Sequence, residues 1–116
     1  MRSMNLALAA AILLSSSPVF AGQCKTDPEV TGACFTVHGR MYNGNFGSVA
    51  RIWRIGTKRI LGVTRELPAS LSRFMEEEND VIYADFLVCP LTRRVPGEMQ
   101  FVCVESARHV VHRREP

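Results

Sequence analysis

Residues 35–64 read FTVHGRMYNGNFGSVARIWRIGTKRILGVT, and the punctuation of that run decides the fold. Residues 35–42 are rich in β-branched and aromatic side chains, which suit a pleated, half-buried surface. They are stopped by Asn43-Gly44-Asn45-Phe46-Gly47, a cluster of turn-forming residues. Residues 49–55 (VARIWRI) resume the pattern, Gly56-Thr57-Lys58 interrupts it, and residues 59–64 (RILGVT) repeat it. The stretch therefore predicts a three-stranded antiparallel meander. Gly39 and Gly62 fall inside strands, where an interior glycine predicts a bulge or a sharp bend.

Toward the C-terminus the periodicity changes. Leu67, Leu71, Phe74 and Met75 recur at helical spacing from Pro68 onward, which predicts one short helix whose last turn carries Glu76, Glu77 and Glu78. Negative charge is disfavoured at a helix C-terminus, so those glutamates read as a solvated, fraying end. Residues 81–89 and 99–106 read as two further strands joined across Val95-Pro96-Gly97-Glu98, where Pro then Gly suits the centre of a type II turn. The tail, residues 108–116, extends the last strand. The order β-β-β-α-β-β is that of the five-stranded OB barrel, so the expected fold is a mainly β, OB-like barrel with one short helix. A small β-sandwich is the alternative.

Toward the N-terminus, Arg2, the apolar run LALAAAILL (residues 6–14) and the small residues leading to Ala21 form the three zones of a signal peptide. A bilayer-spanning helix takes about 20 apolar residues, more than this run supplies. Residues 1–21 are read as a cleaved leader and residues 22–116 as a single domain, periplasmic or secreted. Gln23 before Cys24 argues against lipidation of that cysteine. The whole chain has 116 residues, 47% of them apolar and 22% charged, with a formal charge of +3. Loss of Arg2 with the leader leaves the mature chain nearly neutral, which argues against a nucleic-acid partner.

Cys24, Cys34, Cys89 and Cys103 all lie in the mature segment, and an even count in a small exported chain predicts a disulfide framework. Four cysteines allow three pairings. The hairpin of residues 81–106 brings Cys89 opposite Cys103 when its loop is one residue longer than tight, which favours Cys89 with Cys103 and Cys24 with Cys34. No two cysteines have C-x₂-C spacing, so neither a zinc site nor a thioredoxin-type motif is expected, and no metal or cofactor is assigned.

The runs CFTVHGRMYNGNFGSVARIWRIGTKRILGV, ADFLVCPLT and PGEMQFVCVESA together resemble an uncharacterised group of small exported proteobacterial proteins of unknown function. The resemblance spans most of residues 22–116. It implies export and one compact domain, and it carries over no activity, cofactor or catalytic residue.

Three constellations bear on chemistry. His109 and His112 share a face in a helix but not in a strand, and in a basic tail they read as surface histidines. His38 with Asp85, or with Ser48 or Ser106, supplies the residue types of a small envelope hydrolase, yet no Gly-x-Ser-x-Gly elbow accompanies them. Arg51, Trp53 and Arg54 on the second strand, Lys58 and Arg59 beyond its turn, and Arg93 with Arg94 in the loop between the last two form a basic and aromatic surface, although alternation puts Arg54 on the face opposite Arg51 and Trp53. In an OB barrel that surface faces the usual ligand, with a stacking ring and guanidinium forks for an anionic envelope component. The competing reading makes Trp53 core and the arginines solvated. The expected function is a non-enzymatic binding or structural module.

Overall fold

The structure, a computed structural model, describes residues 23–44 and 49–116. The predicted leader, Ser48 and most of the turn after Asn43 lie outside the described residues. A 3₁₀ turn, Cys24–Thr26, precedes β1 (Phe35–Asn43), β2 (Ala50–Arg54), β3 (Ile60–Val63), the single helical turn α1 (Ala69–Ser72), β4 (Asp80–Pro90) and β5 (Gln100–Arg114). The strands hydrogen-bond in the order β1-β2-β3-β5-β4 and the sheet closes into a barrel, with β1 antiparallel to β4. All contacts are antiparallel except β3 with β5, which run parallel over Leu61–Val63 and Gln100–Val102. The sandwich alternative is thereby replaced by a closed ring.

Alternation along the strands fills the ring. Val37 and Met41 from β1, Ile52 from β2, Leu61 and Val63 from β3, Ile82, Phe86 and Val88 from β4, and Val102 and Val104 from β5 form one buried cluster. Leu71 and Met75 join it from the segment between β3 and β4. That segment is less helical than its spacing predicts. Only four residues after Pro68 are α-helical, and Phe74 and Met75 follow in tighter turns that bond to Leu71 and Ser72. Glu76, Glu77 and Glu78 therefore stand beyond the helix, exposed. The Asp80 side chain ends the segment by accepting the Glu77 N–H at 2.8 Å, while the Asn43 side chain donates to the Glu77 carbonyl at 2.6 Å.

Gly39 and Gly62 mark close approach rather than bulges, because β1 and β3 pair without register shifts. A Cβ at Gly39 would lie 2.5 Å from Ile52 Cγ2, and one at Gly62 would lie 2.7 Å from the Phe101 ring. The irregularities sit in the β4–β5 ladder instead, between Tyr83 and Asp85 and between Leu87 and Val88. Bulges there add local twist to the two longest strands. Beyond Val102, β5 pairs with no strand on its β3 side among the described residues.

The disulfides join Cys24 to Cys103 and Cys34 to Cys89, which corrects the pairing favoured by the hairpin. The register was anticipated, since Cys89 and Cys103 are Cα partners. Closure of the barrel supplies competing neighbours. Phe35 pairs with Val88, which carries Cys34 to Cys89, and Cys24 is tied to β5 by its N–H donating to buried Glu105 at 3.0 Å. The bonds span sequence separations of 79 and 55, so loop-closure entropy gives each about 4 kcal/mol of stabilisation. Two buried disulfides fit an oxidising compartment. No helix among the described residues is long and apolar enough to cross a membrane.

Asp80 fastens the far end of the barrel. Its carboxylate, 3% exposed, meets His112 Nε2 at 2.9 Å and accepts Arg114 Nε–H at 3.1 Å. The Glu77 N–H first, then His112, then Arg114 hold its pKa down at about 2.

Two outcomes follow from these locks. Peptide mapping of non-reduced protein will give Cys24–Cys103 and Cys34–Cys89, and replacing either pair by alanine will lower the urea-unfolding free energy by about 2–5 kcal/mol. Because the folded Asp80 pKa lies below its ordinary value of 3.8, its stabilising contribution is complete above about pH 4 and is lost as pH falls toward 2. Asp80→Asn will flatten that part of the stability profile, measured by denaturant midpoints across the acid range.

Candidate functional site

Two arrangements of side chains stand out on the barrel surface. The first is built on the β2–β3 turn. Gly56 adopts a positive φ of 87°, which only glycine takes without strain. Thr57 then ties the turn, its hydroxyl donating to the Arg54 carbonyl at 2.8 Å and accepting the Arg59 N–H at 2.9 Å. Opposite, the Val95–Glu98 turn closes through the Glu98 N–H to the Val95 carbonyl, with Gly97 at φ 85°, as its Pro-Gly centre predicts. Between these turns lies an open cleft of about 620 Å³ lined by Arg51, Thr57, Lys58, Arg59, Arg94, Glu98 and Gln100, with Ile60, Val95 and Met99 as apolar wall.

The charges in this cleft are not neutralised. Arg51, Lys58, Arg59 and Arg94 form no ion pair among the described residues, and the Arg51 Nε–H is buried with no hydrogen-bond partner. Arg59 donates to the side-chain oxygen of Gln100, which is itself anchored by donating to the Thr92 carbonyl at 2.9 Å. Burial first, then the positive charges of Arg94 and Arg54, hold the Arg59 pKa below its ordinary value. An anion in the cleft relieves that repulsion.

Of the residues singled out from sequence, Arg51, Lys58, Arg59 and Arg94 line the cleft, while Trp53, Arg54 and Arg93 do not. Arg51 and Trp53 do share the outward face of β2, and Trp53 is half-buried there rather than in the core. Its indole N–H donates to the Thr57 carbonyl at 2.7 Å, so the ring braces the turn that presents Lys58 and Arg59. Arg93 is exposed in the β4–β5 loop. Gln100 was not anticipated, because a glutamine at the start of a strand carries no sequence signal.

The second arrangement crosses three strands. Asp85 on β4 accepts from His38 Nδ1 on β1 at 2.8 Å through one oxygen and from His109 Nδ1 on β5 at 2.9 Å through the other. A carboxylate only accepts, so both rings carry the proton on Nδ1 and turn Nε2 outward. The two hydrogen bonds, His109 first, hold the Asp85 pKa below its ordinary value. His109 reaches Asp85 from a bulge. Asp85 pairs with Arg108 and Tyr83 with Val111, leaving His109 and Val110 opposite Ala84. His109 takes φ 56°, the left-handed conformation that glycine normally supplies in such a bulge. Ser106 and Thr36 line a notch with Asp85 and His109, but the imidazoles of His38 and His109 are 69% and 81% exposed. His112 is committed elsewhere, to Asp80 and against the Phe74 ring at 5.2 Å.

Cys24, Cys89 and Glu105 form the one cluster among the described residues with potential metal ligands in reach of one another, and both sulfurs are already bonded as disulfides. No protein-family model, curated protein or solved structure matches this chain. The functional reading therefore rests on the charges and cavities just described.

The strained backbone at His109 gives a direct test. Glycine relieves about 1–2 kcal/mol of left-handed strain that alanine retains. His109→Gly will be more stable than His109→Ala in urea unfolding, by about 1 kcal/mol.

Proposed function

We propose that this chain is an exported, non-enzymatic binding module that holds a phosphate- or carboxylate-bearing component of the cell envelope in the cleft between the β2–β3 turn and the β4–β5 loop. The observation that carries the reading is the gathering of Arg51, Lys58, Arg59 and Arg94 around one cleft, where they form no ion pair among the described residues although Glu98 also lines it, with the Arg51 Nε–H left without a partner. Guanidinium forks match planar and tetrahedral oxyanions, and a desolvated donor gains most from one. The strand order, with its parallel β3–β5 contact, favours classing the barrel as OB-like. In such barrels ligands lie across the second and third strands and beside the loop joining the fourth and fifth. The signal-peptide pattern of residues 1–21, the likeness to small exported proteobacterial proteins and the two disulfides support a periplasmic or secreted location.

The rival reading, a small envelope hydrolase using Asp85 with His38 or His109 and Ser106, needs a nucleophile hydrogen-bonded to a base held in a sheltered pocket. The exposure of both imidazoles favours the binder.

Trp53 is the chain's one tryptophan and bonds to Thr57 on the cleft wall, so its fluorescence reports occupancy. Titration with short-chain polyphosphate, and separately with phosphatidylglycerol vesicles, will distinguish a free polyanion from a lipid head group. Affinity for the true class will fall about tenfold to a hundredfold between 50 and 200 mM salt, as expected for about four neutralised charges. Arg51→Gln and Arg94→Gln will each weaken binding several-fold, and Arg93→Gln will not. Wild-type affinity in both cleft variants, or no response to either probe, refutes the assignment.

A further inference from the structure

The four cysteines form a chain of sulfurs with two accessible ends. Cys34 is partly exposed beside the start of β1, and Cys103 contributes to the lining of a cleft of about 880 Å³ that Arg65, Asp27 and Glu66 also border. The inner members, Cys24 and Cys89, are fully buried. They belong to different disulfides, yet their sulfurs and a carboxylate oxygen of Glu105 all lie within 4.8 Å of one another. Glu105 is only 4% exposed and forms no ion pair among the described residues. Its recorded side-chain hydrogen bond is the one accepted from the Cys24 N–H.

We propose that the two disulfides form a thiol–disulfide relay, through which a dithiol reductant acting at Cys34 liberates a thiol at Cys103 in the cleft. A thiolate of the dithiol attacks Cys34 Sγ, the Cys34–Cys89 bond breaks, and the electron pair leaves on Cys89. The Cys89 thiolate attacks the neighbouring Cys24 Sγ, forming Cys24–Cys89 and expelling the Cys103 thiolate. The second thiol of the dithiol then resolves its mixed disulfide with Cys34. One dithiol becomes a disulfide, two protons pass to Cys34 and Cys103, and the protein keeps one disulfide, now Cys24–Cys89. Exchange requires the attacking and attacked sulfurs to come together, and the inner pair lies within 4.8 Å before any movement. The Glu105 carboxylate beside the inner sulfurs repels a buried Cys89 thiolate and favours passage of the charge through Cys24 to Cys103. Throughout, the N-terminal segment stays tethered, changing its anchor from β5 to β4.

The test is limited reduction of the intact wild-type protein with dithiothreitol, acid-quenched, alkylated and mapped by mass spectrometry. The expected two-thiol species is alkylated at Cys34 and Cys103 and retains a Cys24–Cys89 bond. Thiols at Cys34 and Cys89 beside an intact Cys24–Cys103 bond overturn the relay. So does a Cys89–Cys103 bond, or the simultaneous appearance of all four thiols. Glu105→Gln keeps an acceptor for the Cys24 N–H and removes the charge. In that variant the unexchanged species, with thiols at Cys34 and Cys89, will accumulate several-fold. An unchanged species ratio removes Glu105 from the mechanism.

Discussion

The register between β1 and β4 is the constraint on which the rest of the molecule depends. Eight consecutive residue pairs, from Phe35 with Val88 to Tyr42 with Val81, close the sheet. Because side chains alternate strictly along a strand, a slip of one residue would exchange the inner and outer faces of β1. Val37 and Met41 would leave the core, and His38 would lose its place opposite Asp85. Cys34 would no longer meet Cys89. The Cys34–Cys89 bond sits at one end of this ladder, and contacts from Asn43 to the chain entering β4 sit at the other. Covalent and polar locks thus hold both ends of one alignment.

Charge is distributed unevenly over the barrel, and the distribution gives the cleft its character. Arg40 pairs with Glu115, which also accepts from Tyr83. Arg65 pairs with Asp27 and Glu29, and Arg114 with Asp80. The carboxylates placed among these arginines serve as braces between segments distant in sequence. Around the β2–β3 turn the pattern reverses, with cations brought together that form no ion pair among the described residues. Exposed ion pairs contribute little individually, so the informative contrast is between a surface that satisfies its charges and one patch that does not.

Much of this architecture was legible in residues 35–64, where β-branched runs broken by Asn-Gly and Gly-Thr-Lys give strands whose boundaries agree with the fold within a residue or two. The Val95-Pro96-Gly97-Glu98 turn and the facing of Cys89 and Cys103 were legible as well, since turn chemistry fixes local register. What failed were inferences that needed the closed ring. The disulfide pairing followed the facing of Cys89 and Cys103 in the hairpin, whereas β1–β4 closure brought Cys34 to Cys89. Leu71 and Met75 share helical spacing and both reach the core, Leu71 from the single helical turn and Met75 from the tighter turns after it. Arg51 and Trp53 were correctly assigned to one face. No pattern in the sequence reports that Trp53 bonds to Thr57 or that Gln100 anchors Arg59, because both contacts depend on how two turns meet in space. The His38–Asp85 pair was visible only as two residue types until the cross-strand register joined them.

The long unpaired side of β5 gives the left-handed residue a second role. A strand whose N–H and C=O groups face solvent in regular order is a template for another strand, and proteins guard such edges with charge and with breaks in the pleat. Beyond Val102 this edge has both. Arg108, Arg113 and Arg114 line its exposed course, and the bulge at His109 interrupts its repeat where Val110 and Val111 expose apolar surface. A second copy laid alongside would meet like charge and a misaligned ladder. The same backbone kink that aims an imidazole at Asp85 therefore helps to keep the chain from growing into a fibre.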